Sequence, residues 1–409
     1  MNPIALVTGA TGFLGRPLCA RLLADGWTVR AVVRRTGAVP AGNGIEPIVI
    51  DDLGRLGDAR QRDLLARSLA GTQAVFHLAA VVHQAGREND DAHYQALNVE
   101  AVAGLAGAAA AAGVGRFVLL SSIKAVGERT EGAAFDPDSR PRPLDAYGRS
   151  KLAAEQRLRD ALAGSDTGWT VVRPPLVYGP DARANLRQLL GLLKRQLPLP
   201  LASVHNQRSL VGRDNLVGLL TGLCLAPDSA GRVLMPADGD WSTPELLRVL
   251  ASGLGVRARL FPCPVPVLAG LATLAGRRDK LRRLTDSLTV RDPYLLQQQW
   301  RPRCRPPTAC GRWPRTSWPR PGRHDPRYLA GARPAAPGLP GRRGGLRDRP
   351  APGAEICLAL ALAGPAQSPL DACRPDPAFR RSGPDDRCRH GPGADAGAGQ
   401  RPHGDGPVW

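Results

Sequence analysis

Thr8-Gly9-Ala10-Thr11-Gly12-Phe13-Leu14-Gly15 follows directly on the apolar run Ile4-Ala5-Leu6-Val7 and leads into a stretch with apolar residues at 18, 22 and 23. A short strand, glycines spaced Gly-x-x-Gly-x-x-Gly and an amphipathic helix together read as a phosphate-cradling turn. Gly9 permits the tight turn, Gly12 lets backbone approach a pyrophosphate, and Gly15 lets the helix pack close on the strand. Free N–H groups and the helix dipole favour an anion there. The plain alternative is a glycine-rich turn without a ligand, and the flanking strand and helix argue against it.

The same alternation continues outward from this turn. Further short apolar runs lie at 28–33, 45–50, 74–78, 117–120 and 170–172, and helical stretches at 60–70, 94–112 and 150–163. Strands alternating with helices imply βαβ units, an α/β fold and a doubly wound parallel sheet of the Rossmann type. Beyond residue 180 the rhythm weakens. Helices are expected at 185–196, 214–225 and 243–253, the last opened by Ser242 or Thr243 with Pro244 behind it, and an extended segment at 199–210. The expected organisation is a dinucleotide-binding domain over 1–180 and a smaller α+β substrate lobe over 181–302, with sheet and helices partly shared.

The 409 residues carry 55 Lys+Arg against 36 Asp+Glu, a net charge of +19, which first suggests a nucleic-acid or anionic-membrane binder. Locating the charge changes that reading. Residues 301–409 hold 19 Arg, no Lys and 9 acidic residues, with 20 Pro, 16 Gly and only 10 Leu, Ile, Val or Phe. Such a segment cannot offset its ordering entropy, so a disordered tail over 303–409 is expected in place of a packed domain. A GC-rich gene read out of frame gives this composition, and an Arg-rich nucleic-acid-binding tail competes with that reading. With no basic leader, no apolar stretch near the ~20 residues of a spanning helix, and eight scattered Cys without metal-site spacing, the chain reads as cytoplasmic. It reads as having no membrane insertion, no nucleic-acid partner and no metal.

Three more stretches carry chemistry. The second strand ends Val32-Val33-Arg34-Arg35, with no carboxylate for a ribose 2′-hydroxyl; Arg34 can accept a 2′-phosphate, and the pair also reads as solvated cations. Asp52-Leu53 follows the third strand and suits an adenine edge or a simple turn. Tyr147 and Lys151 stand four apart on one helical face, where an ammonium lowers a phenol's pKa and suits it to proton transfer. Ser122, at the end of a strand, can hydrogen-bond a substrate oxygen beside that phenol or simply cap a turn.

Taken together and in order, these residues resemble the extended short-chain dehydrogenase/reductases, in the NAD-dependent epimerase/dehydratase group. The resemblance runs over about residues 3–302 and includes Phe76-His77-Leu78-Ala79-Ala80, Asn98-Val99 and Arg173-Pro174-Pro175-Leu176-Val177-Tyr178-Gly179-Pro180. Ser121-Ser122-Ile123-Lys124 and 204–211 point to the UDP-glucose 4-epimerase-like branch of O-antigen clusters. The resemblance implies an oxidoreductase using NAD or NADP at C4 of a UDP-sugar, in polysaccharide biosynthesis, often as a homodimer. It implies cofactor contacts from Gly9, Thr11, Gly12, Phe13, Leu14, Gly15, Arg34, Asp52, Leu53, Leu78, Ala79, Ala80, Tyr147, Lys151 and Pro174. It implies that Ser122, Tyr147 and Lys151 are catalytic, and that Ser122, Asn185, Arg208 and an Arg among 278, 282 and 283 meet the substrate. A 4-keto-sugar reductase would use the same catalytic residues in one direction. A dehydratase fits poorly, because Ile123-Lys124 replace the Asp-Glu pair expected after the serine. A non-catalytic dinucleotide-sensing or nucleic-acid-associated protein is favoured by charge alone. Two departures stand out: no acidic residue near Val33, and Val126 where many relatives carry Tyr. The family's closing signal fits Gln299-Trp300-Arg301-Pro302.

Overall fold

The computed structural model describes residues 2–39, 44–55, 59–81, 91–179, 185–298 and Trp300; the expected tail lies outside them. Its first half alternates as the glycine turn suggested: β1 (Ile4–Thr8), α1 (Gly15–Ala24), β2 (Thr28–Val33), β3 (Ile45–Val49), α2 (Ala59–Leu69) and β4 (Ala74–His77). There follow α3 (Asp91–Tyr94), a π-helical turn (Gln95–Glu100), α4 (Ala101–Ala111), β5 (Arg116–Leu120), α5 (Ala146–Leu162) and β6 (Gly168–Val172). Next come β7 (Leu176–Tyr178), α6 (Asn185–Lys194), β8 (Arg208–Gly212), α7 (Arg213–Leu223), β9 (Arg232–Leu234) and β10 (Gly239–Trp241). Four helices close the described chain: α8 (Thr243–Gly253), α9 (Val265–Leu274), α10 (Arg278–Thr285) and α11 (Pro293–Gln297).

Seven parallel strands form one sheet in the order β3-β2-β1-β4-β5-β6-β9. Strand order reverses between β1 and β4, which opens a crevice at their carboxyl ends. β4 is buried throughout and β5 nearly so, consistent with a sheet covered on both faces. One core packs α1, α7 and α11 against the sheet through Leu18, Leu22, Leu216, Leu220 and Leu295. The other packs α2, α4 and α5 on the opposite face through Leu65, Leu105 and Leu158.

The smaller lobe has its own three-stranded sheet, β10-β8-β7, and a separate core around Leu193, Leu247, Leu268 and Leu281. The segment expected to be extended over 199–210 is strand only from Arg208; before it, Leu199 makes one bridge, to Leu260. α8 starts as its sequence implies: the Ser242 side chain accepts from the Glu245 N–H, and Glu245 reaches back to the Ser242 N–H.

Candidate active site

The glycine turn sits at the reversal of strand order. Gly9 has φ +68°, and a Cβ there would lie 2.9 Å from the Ala79 nitrogen. A Cβ on Gly15 would run into the Gly9 carbonyl and the Ala10 Cα. The turn is therefore shaped by missing side chains, and Leu14, the N-cap of α1, makes no side-chain cap. A glycine turn drawn this tightly against the start of a helix suits the pyrophosphate of a dinucleotide. Thr11 is exposed, Gly12, Phe13 and Leu14 are half-buried, and Phe13 lies under the Arg213 guanidinium at 5.7 Å.

Around this turn the other expected cofactor positions line up. Arg34 is exposed at the carboxyl end of β2, the strand beside β1. Asp52 is half-buried and its Oδ1 accepts the Gly54 N–H at 2.8 Å, so it shapes the turn that follows β3; Leu53 packs on the core behind it. Leu78, Ala79 and Ala80 are half-buried beyond β4. The Ala79 N–H donates to Thr8 Oγ1 at 3.2 Å, tying the ends of β1 and β4 together. Buried Pro174, after β6, accepts the Ile123 N–H at 3.1 Å and so fixes the serine turn.

Ser122 lies two residues beyond β5 in extended conformation, and its Oγ accepts weakly from the Lys124 N–H. α5 starts four residues earlier than the sequence suggested, because Asp145 caps it by accepting the Gly148 N–H at 2.7 Å. That start puts Tyr147 in the first turn, buried beside Tyr94, with ring centroids 6.2 Å apart. A Cβ on Gly148 would lie 2.5 Å from the Lys124 carbonyl, so only glycine lets helix and serine turn come together here. Ser122 hydrogen-bonds the Tyr147 phenol. Lys151 Nζ donates to the Leu120 carbonyl at 3.0 Å and lies 5.9 Å from the Tyr147 ring centroid.

The electrostatics correct one expectation. Lys151 was expected to lower the Tyr147 pKa; instead burial pushes the phenol up, with the Ser122 hydrogen bond opposing it and Asp145 and Tyr94 adding to the rise. Burial also pushes Lys151 down to about 8, with Glu155 opposing.

Asn98, among the motifs of the resemblance, and Glu155, which the sequence did not single out, hold this arrangement. Asn98, in the π-helical turn, accepts the Val81 N–H at 2.8 Å and donates to the Val81 carbonyl and to Ser150 Oγ. It ties the end of the β4 loop to α5; a π-turn in a helix often marks such a site. Glu155, one turn beyond Lys151, accepts three guanidinium contacts from Arg173, the shortest at 2.6 Å, and one from Ser121 Oγ at 2.5 Å. Lys124 Nζ bridges Asp145 at 2.5 Å and Glu128 at 3.1 Å. A helical reading of 146–162 would have placed Glu155 on the Tyr147–Lys151 face; the partners come from other strands.

In the smaller lobe, Arg208 opens β8 and donates to the Asp286 carbonyl at 3.0 Å. Burial lowers its pKa, Asp286 and Glu128 oppose, and Arg283 adds to the fall. Asn185 is the first residue of α6, and its side chain lies outside the described set. Among the described residues no group of three or more His, Cys, Asp or Glu is placed to hold a metal ion.

Residues 5–211 match the profile of the NAD dependent epimerase/dehydratase family. The chain belongs to that family. A UDP-glucose 4-epimerase of Vibrio cholerae is 34% identical over 291 residues, covering 70% of this chain and 86% of that protein. A ceramide reductase of Caulobacter vibrioides is 31% identical, covering 74% and 87%. Among solved structures, MoeE5 in complex with UDP-glucuronic acid and NAD superposes with a TM-score of 0.58 at 26% identity, over 73% of this chain and 94% of that one. For this epimerase/dehydratase chain the cofactor is NAD or NADP, and the glycine cradle at the β1–β4 crevice fits it.

Proposed function

We propose that the chain acts at C4 of a UDP-hexose as a 4-epimerase-like enzyme. The observation that carries the reading is Ser122, Tyr147 and Lys151 gathered at one end of the sheet beside the glycine cradle. The Vibrio cholerae relative supports the choice of sugar nucleotide and of reaction. The nicotinamide dinucleotide, when bound, supplies the hydride acceptor and donor. Tyr147 exchanges the proton of the C4 oxygen. Ser122, already bonded to the phenol, orients that oxygen. Lys151 holds a positive charge on the same helical face and is anchored to the Leu120 carbonyl. Arg208 supplies a cation for the diphosphate in the smaller lobe, and Asn185 is assigned the same role. Phe13, Leu78, Ala79, Ala80 and Pro174 line the cofactor cleft, with Asp52 and Leu53 at the adenine end.

A second reading, a 4-keto-sugar reductase, is favoured by Arg34, exposed at the end of β2 where a 2′-phosphate would sit. Stoichiometry separates the two. Interconversion of UDP-glucose and UDP-galactose without net change in reduced cofactor supports the epimerase. Steady consumption of NADPH with a 4-keto sugar nucleotide supports the reductase. Either way, Tyr147→Phe should lower turnover about 10²–10⁴-fold while cofactor binding persists. Unchanged turnover removes Tyr147 from the chemistry.

A further inference from the structure

Residues 262–276 contain no charged side chain, yet much of the segment faces solvent. α9 buries Leu268 and Ala272 against the smaller lobe. On its other side Val267, Leu271 and Leu274 are 51%, 40% and 88% exposed. Their spacing of four and three residues places them along one helical stripe. A stripe of this kind on a charge-free helix is not the ordinary scatter of single exposed apolar residues.

The chain changes character at once after it. Residues 277–283 hold five cations, Arg277, Arg278, Lys280, Arg282 and Arg283, against one acid, Asp279. Only Leu281 of α10 is buried, and Arg278, Lys280, Arg282 and Arg283 are exposed. Both helices contribute to the same core, Leu268 and Ala272 from α9 and Leu281 from α10, so stripe and cations are held in one rigid corner. An apolar stripe joined to a basic cluster matches the surface of an anionic bilayer, acyl region to stripe and headgroups to cations. A protein partner would need acidic groups around an apolar socket; the bilayer offers both as a continuous surface. α9 has ten residues, far short of a span, and among the described residues no helix is long and apolar enough to cross a membrane.

We infer that the α9–α10 corner is a docking surface for an anionic lipid bilayer, with Leu271 and Leu274 entering the interface and Arg278 and Lys280 meeting headgroups. The inference is independent of the sugar-nucleotide reading.

The test uses the full chain and vesicles of phosphatidylcholine with or without about one-third phosphatidylglycerol. Co-sedimentation should be at least tenfold stronger with the anionic vesicles. Leu271→Glu/Leu274→Glu should reduce that binding at least tenfold, and Lys280→Glu should weaken it in the same direction, with cofactor binding unchanged in both. Hydrogen exchange over 265–283 should slow when vesicles are added. Full binding by the leucine double variant overturns the proposal, because the Arg-rich segment would then carry the affinity. Absence of vesicle binding overturns it too. Protection of 265–274 that rises with protein concentration alone also overturns it, since the occupant is then a second copy.

Discussion

His77 shows how one buried side chain shapes the crevice. Its Nδ1 lies 3.0 Å from Thr8 Oγ1, which also accepts the Ala79 N–H. Nδ1 and the threonine hydroxyl share one hydrogen bond, and Nε2 has no hydrogen-bond partner among the described residues. Burial, with the Lys151 charge adding to it, pushes His77 down to about 3 from an ordinary 6.5. Between those values the unfolded chain binds a proton that the native state refuses, so stability rises with pH across that window and falls on acidification. The expected contribution is at most ~1.4 kcal/mol per pH unit. Urea unfolding of wild type and His77→Asn between pH 6 and 4 reads it: the wild-type slope should be the steeper, and equal slopes refute the assignment. Gly15 gives a second single-residue prediction. Alanine is the better helix former by ~1 kcal/mol, but its Cβ would strike backbone on two sides, and overpacking of that kind costs about 1–3 kcal/mol. Gly15→Ala should therefore weaken both stability and NAD binding. Gly113→Ala, at φ +67° with open space around it, should cost ~1 kcal/mol and leave binding alone. Equal effects on cofactor affinity, measured by titration, would refute the cradle.

At the scale of elements, α5 is held to two strand ends by a buried ion pair. Glu155 and Arg173 are 0% and 3% exposed, and Ser121 adds a hydroxyl. Removing one partner leaves the other charge buried, at about 3–5 kcal/mol; replacing both with apolar residues of similar volume is often near neutral. Glu155→Gln should thus lower the urea midpoint sharply, and Glu155→Met/Arg173→Met should recover most of the loss. A double variant as weak as the single one shows that the pair itself stabilises the fold. Little of this network could be read from the chain. Glu155 and Arg173 are 18 residues apart, and nothing in either neighbourhood announces the other. The large sheet was legible because its first six strands are largely apolar runs of four to six residues, separated by helices everywhere but between β2 and β3. β7, β9 and β10 have three residues each, too few for a period-two pattern to register. The glycine cradle and the Tyr147–Lys151 face were legible because local spacing fixes both. The raised phenol pKa was not, because burial comes from Tyr94 and the serine turn, which are remote in sequence.

At the scale of the described chain, two of the cores draw on residues beyond 180, in line with sheet and helices partly shared between the expected parts. α7, β9 and α11 come late in sequence yet contribute Leu216, Leu220, Leu234 and Leu295 to the core that holds β1 and β4. α8, α9 and α10 instead close the separate core around Leu247, Leu268 and Leu281. Cofactor bound in the β1–β4 crevice stabilises whatever must be folded to form that crevice, by RT ln(1 + [L]/Kd), about 2.7 kcal/mol at about 100 Kd. Amides of β1, β4 and α7 that exchange only through opening of the crevice core should then slow about 100-fold when NAD is added. Amides of α8 and α10 should open by a cheaper local route through their own core and slow far less. Native-state hydrogen exchange with and without NAD decides it. If α8 and α10 slow as much as β1, the two cores open as one unit and the partition fails; if α7 stays fast with them, it belongs to the smaller lobe after all.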